Sequence, residues 1–119
     1  MRVSIFISLI LSLTLLLVLP HQAFAAEVLQ VRSATLLQVG DRNRNYSVQL
    51  ACVQVEPEDE QRAQDWIRHA VPRRRRVNLR PEGSADGVLL ARVTPIGDDL
   101  DLGSALVSEG LAQVTCPAA

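Results

Sequence analysis

The chain has 119 residues, 48% of them hydrophobic, with 12 basic and 13 acidic side chains and a net charge of −1. That length excludes multidomain architectures, repeat solenoids and dinucleotide-binding α/β folds, and the charge balance excludes a generally basic nucleic-acid binder. Every cation is an arginine, so each charge is permanent and each head group is a planar fork for carboxylate or phosphate.

Met1 and Arg2 precede an uncharged apolar run over residues 3–19, followed by Pro20, His21 and the small-residue box Ala23-Phe24-Ala25. A basic start, an apolar stretch and an A-x-A box make a secretory signal peptide, so cleavage is expected after Ala25. Residues 26–119 then form one exported domain with no membrane span. The compartment is expected to be periplasmic, lumenal or extracellular, and the domain a monomer. Its only aromatic residues are Tyr46 and Trp66, so the core must be built from Val, Leu and Ala. Cys52 and Cys116 are even in number and bound for an oxidising compartment, which favours a disulfide over two separate buried thiols. With only His69 left among the histidines, a zinc site lacks ligands.

In chain order, residues 28–39 read as two short strands around a turn at Arg32-Ser33-Ala34. A polar loop follows over residues 40–45. Tyr46, Val48, Leu50 and Cys52 alternate with polar or small residues, giving a half-buried strand with Cys52 on its inner face. Acidic residues and Pro57 open a helix whose stripe is Ala63, Trp66, Ile67 and Ala70, and Pro72 ends it. Residues 73–80 read as a strand with Val77 and Leu79 inward, and residues 81–87 as its turn. Residues 88–93 form a further strand with Leu89, Ala91 and Val93 on one face. Asp101 caps a last short helix, Gly110 terminates it, and residues 111–116 return as an extended tail. The expected fold is mainly β (α+β): a small five-stranded Greek-key barrel of the OB type, with one capping helix and a short C-terminal helix.

Three blocks carry a resemblance. Leu106-Val107-Ser108-Glu109-Gly110-Leu111-Ala112-Gln113-Val114 is similar to an "LV-x-EGLA-x-V" ending. Asp86-Gly87 with Leu90-Ala91-Arg92-Val93 is similar to a "YGR-x-LA-x-V" strand, and Val48-Gln49-Leu50-Ala51 running to Glu56-Pro57 to "VRLAGIDAPE". In this order and spacing they resemble the staphylococcal nuclease (thermonuclease) family over nearly the whole exported part.

The resemblance implies an OB barrel and a calcium-dependent phosphodiesterase, and the residues depart from that chemistry at each motif position. Such hydrolysis needs a metal, a carboxylate that orients water, and cationic forks on the phosphorus oxygens. Where the family's "DGDT" turn holds metal-binding acids, this chain has Arg32 and Ala34. Gln54 stands at the aspartate of "IDAPE", a poor ligand for a hard cation. Gln49 and Val88 replace the two arginines, and Pro57 the glutamate, with Glu56 and Glu58 on either side. Nuclease activity of the family type is therefore expected to be absent, and no cofactor is expected. The competing expectation is a calcium-dependent nuclease with a rearranged site, using Glu56 or Glu58 with Arg42, Arg44 or Arg92.

Outside those motifs, Arg73, Arg74, Arg75 and Arg76 form the densest cationic feature, with Arg42 and Arg44 adding to a basic surface. They suit an anionic protein or nucleic acid; alternatively, strand alternation splits the run into pairs and the acidic segment 56–60 neutralises one of them. The aromatic platforms of a single-strand binder are missing, since Tyr46 is expected inward and Trp66 in the core. His69 has no nucleophile beside it and is assigned to solvent or to the helix end. Asn45-Tyr46-Ser47 fits a glycosylation sequon.

Overall fold

The alternation of apolar residues along the strands closes a barrel in the computed structural model, which describes residues 24–116. The expected leader up to Ala23 lies outside the described residues. The strands are β1 (Phe24–Val31), β2 (Leu36–Asp41), β3 (Arg44–Leu50), β5 (Arg76–Ala85) and β6 (Val88–Pro95), in the closed order β1-β2-β3-β6-β5. All neighbours are antiparallel except β3 and β6. This is the small OB-like barrel that the strand pattern predicts. A second, two-stranded sheet pairs β4 (Val53–Gln54) with β7 (Gln113–Val114).

Inward positions hold Val28, Leu37, Val39, Val48, Leu50, Val77, Leu79, Ala91 and Val93, all buried. A 3-10 turn (Pro57–Asp59) leads into α1 (Glu60–Ala70), which closes one side of this core with Ala63 and Ile67, while Trp66 and Ala70 pack at its margin. The second helix, α2 (Leu102–Ser108), buries Leu102 and Leu106. Asp101 caps it, accepting from the Ser104 N–H (3.2 Å) and hydroxyl (2.6 Å), and Gly110 leaves it at φ +74°. Among the described residues no helix is long and apolar enough to cross a membrane.

Three local expectations change. Cys52 does not lie on the inner face of β3: the strand stops at Leu50, and Cys52 sits in the following turn at φ 66°. The arginine run is not a strand until Arg76; Arg73 and Arg74 form a turn, with Arg74 at φ 73° and its N–H donating to the Val28 carbonyl. Residues 81–85 are not a turn. They extend β5 past a bulge between Pro81 and Gly83, and only Asp86 and Gly87, both at positive φ, make the hairpin turn.

Candidate functional site

The resemblance would put metal-binding acids in the turn between β1 and β2. Ala34 there is fully buried, its methyl part of the core. The Ala34 N–H donates to Glu60 Oε1 at 2.9 Å, so the first residue of α1 ties the helix to this turn. Ser33 Oγ accepts from the N–H groups of Thr35 and Leu36, which fixes the turn's shape. Gln49 lies on β3 between Leu36 of β2 and Leu90 of β6, and its amide donates to Thr35 Oγ1 at 2.7 Å. The structure thus joins two motif positions, Ala34 and Gln49, through their neighbours, and adds Glu60. What gathers is a methyl, an amide, a hydroxyl and the half-exposed side chain of Leu90. Its one carboxylate already has an oxygen committed to a backbone N–H.

The other motif positions are spread over separate elements. Gln54 is exposed on β4 opposite Gln113, and Val88 opens β6 opposite Ala85. Pro57 begins the 3-10 turn, with Glu58 exposed on it and Glu56 half-buried just before it. Arg32 is exposed, and its carbonyl accepts from Gln64. Among the described residues no three His, Cys, Asp or Glu side chains gather as metal ligands. Sequence reasoning missed Glu60; its only local signal is an acid in the first helical turn, and its partner lies 26 residues away.

The unpaired arginines are spread over three neighbouring clefts: Arg42 and Arg76 share one, Arg44 lines a second and Arg73 a third. Arg76 opens β5 directly opposite Glu27 of β1, which in turn faces Gly40 of β2. Arg42 occupies the tip of the β2–β3 hairpin at φ 60°, and Arg42 and Arg76 line the same cleft of about 260 Å³ together with Glu27 and Asp41. Arg44 stands across the ladder from Asp41. Among the described residues, Arg42, Arg44, Arg73, Arg74 and Arg76 have no carboxylate within 4.0 Å. Arg75 differs: it donates to the Ile96 carbonyl at 3.0 Å and lies 3.9 Å from Asp98. The acidic segment does not neutralise the run, because Asp59 pairs with Arg62 and Glu60 with the Ala34 N–H. Arg92, half-exposed on β6, pairs instead with Glu82 (3.0 Å) and Asp101 (3.9 Å).

Cys52 and Cys116 are bridged, with a Cα–Cα distance of 4.8 Å. The bridge lies beside the β4–β7 pair, and the Thr115 N–H donates to the Cys52 carbonyl. Tyr46 is half-buried with its ring 6.4 Å from that of Phe24, and its hydroxyl is buried without a hydrogen-bond partner among the described residues. Burial, and then the Asp41 carboxylate, push that hydroxyl above the usual phenol range, against an opposing pull from Arg44. His69 is exposed in the last turn of α1.

No family model matches the chain, and no curated protein is similar to it in sequence.

Proposed function

We propose that the chain is an exported, staphylococcal nuclease-like domain that lacks the nuclease's chemistry and binds an anionic partner through its unpaired arginines. The observation that carries the binding half is Arg42 and Arg74 in left-handed backbone, together with Arg44, Arg73 and Arg76, none of which has a carboxylate within 4.0 Å among the described residues. A side chain with a Cβ costs about 1 kcal/mol there, and glycine would relieve it. Cations kept at strained, unneutralised positions point to use rather than to folding.

Support for the family half comes from register. The glycine of "VRLAGIDAPE" falls on Cys52, whose φ of 66° is the backbone region that favours glycine. Loss of chemistry is supported by what surrounds Ala34 and Gln49: one Glu60 oxygen is taken by the Ala34 N–H, and the Gln49 amide donates to the Thr35 hydroxyl. A leader and a disulfide both suit export to an oxidising compartment.

The test uses a fluorescent single-stranded oligodeoxynucleotide and a fluorescent acidic peptide. Binding of either should fall with salt, and removing Arg73, Arg74 and Arg76 together (each to Ser) should weaken it. For the oligonucleotide the salt slope should shrink by roughly 2, at about 0.7 for each phosphate that is no longer neutralised. Absence of salt-sensitive binding to both probes overturns the binding role. Calcium-dependent shortening of the oligonucleotide, abolished by a chelator, overturns the loss of nuclease chemistry.

A further inference from the structure

A second polar cleft lies on the outer face of the β5–β6 hairpin, lined by Asn78, Arg80, Arg92, Thr94, Asp99 and Asp101 and enclosing about 460 Å³. Strand alternation makes this face. With Val77, Leu79, Ala91 and Val93 in the core, the intervening side chains must point outward. Asn78 stands directly opposite Thr94, and Arg80 directly opposite Arg92. The loop from β6 to α2 then brings Asp99 and Asp101 to the rim.

Two guanidinium groups at facing positions repel, and like-charge pairs of this kind weaken a sheet unless something lies between them. Arg92 is compensated. The β5 bulge turns Glu82 onto it at 3.0 Å, and Asp101, itself fixed as the cap of α2, stands 3.9 Å away. Arg80 has no carboxylate within 4.0 Å among the described residues, and Asp99 has no cation within that distance. The cleft therefore holds one held ion pair as its wall and two charges of opposite sign left unused. Its floor offers an amide and a hydroxyl.

We infer that this cleft binds a small zwitterion, about the size of an amino acid or dipeptide, with its carboxylate on Arg80 and its ammonium group on Asp99. A simple anion entering here meets two carboxylates, and a simple cation meets two guanidinium groups. A dipolar molecule alone meets an opposite charge at each end. Arg80 supplies the planar fork that fits a carboxylate, and Asn78 and Thr94 supply hydrogen-bonding groups between the two ends. The volume lies within the range of small-molecule sites. This surface is separate from the Arg42–Arg76 cleft, so its occupancy does not depend on the partner proposed above.

The probe is glycylglycine, followed by amide and side-chain NMR shifts of the purified protein. Saturable shifts at Asn78, Arg80 and Thr94 in the millimolar range are expected. N-acetylglycylglycine and glycylglycine amide, each lacking one charge, should bind about tenfold more weakly or worse. Arg80→Gln and Asp99→Asn should each cause a similar loss, whereas Arg73→Ser should leave the titration unchanged. Both test positions are exposed, so the variants should keep the wild-type far-UV spectrum. The inference is overturned by no saturable shift with glycylglycine, by equal binding of either capped form, or by indifference to both substitutions.

Discussion

Replacing Cys52 and Cys116 together by serine should lower the folding free energy by about 4 kcal/mol. The magnitude follows from topology. The bridge spans a sequence separation of 64 residues, and closing a loop of that length removes about 4 kcal/mol of chain entropy from the unfolded state at 25 °C. Few other contacts hold the end it anchors. The strand β7 is two residues long, both exposed, and Val114 keeps 63% of its surface in water. A small domain with a Val, Leu and Ala core has a total stability of only about 5–10 kcal/mol, so the staple supplies a large share. Thermal unfolding followed by circular dichroism should show a fall of roughly 15–30 °C in the variant. Hydrogen exchange should show the Thr115 amide, which donates to the Cys52 carbonyl, losing protection first. A second arm separates the staple from backbone strain. Because Cys52 sits at φ 66°, a Cys52→Gly, Cys116→Ser pair should recover about 1 kcal/mol relative to the double serine variant. If the double serine variant lost less than about 1 kcal/mol, the unfolded chain would already be compact near this loop, and the entropic argument would be wrong.

Arg42→Gly should raise stability by about 1 kcal/mol in urea unfolding and at the same time weaken polyanion binding, since it removes both strain and charge at the hairpin tip. Tyr46→Phe should stabilise by about 1 kcal/mol, because the hydroxyl it deletes is buried without a partner. The same substitution should flatten the alkaline end of the stability profile. Because Tyr46 ionises later in the folded than in the unfolded chain, stability is unaffected well below pH 10 and falls as the pH rises from the unfolded-state value towards the raised folded-state value; phenylalanine removes that loss. Asp101→Ala should cost about 1 kcal/mol in the same unfolding assay by uncapping α2.

Residues that alternate against a buried face were legible in the sequence. The pairs Val77 and Leu79, and Ala91 and Val93, point inward as their spacing requires, and the α1 stripe buries Ala63 and Ile67. Where burial is absent the signal disappears. Residues 80–85 are exposed on both faces, so the far half of β5 shows no alternation, and its Pro and Gly read as a turn. Four identical arginines carry no periodicity either, and the position of Arg74 is set by its backbone bond to Val28, a partner remote in sequence. The end of β3 is fixed in the same way by barrel closure, where the Ala51 N–H reaches the Ala91 carbonyl. Cys52 is thereby pushed off the core face. For the site, the residues Ala34, Gln49 and Val88, at which the chain departs from the nuclease motifs it resembles, could be read directly. The hydrogen bonds formed there, from the Ala34 N–H to Glu60 and from Gln49 to Thr35, join positions 26 and 14 residues apart and leave no local trace.

On the proposed reading, those two bonds determine whether nuclease-type metal chemistry could be introduced by a single substitution. Ala34→Asp would place a carboxylate where the present side chain is fully buried, next to Glu60, whose oxygen lies 2.9 Å from the Ala34 nitrogen. Two like charges would then meet where, among the described residues, Glu60 has no cation within 4.0 Å. Breaking or failing to pair a buried charge costs about 3–5 kcal/mol, a large part of what so small a domain has. The variant should therefore unfold at markedly lower urea, or fail to fold, with calcium giving little protection. A stable Ala34→Asp protein whose melting temperature rises with calcium would mean that the turn still holds a cation cradle. The arrangement around Glu60 would then be a resting state of a metal site rather than its replacement.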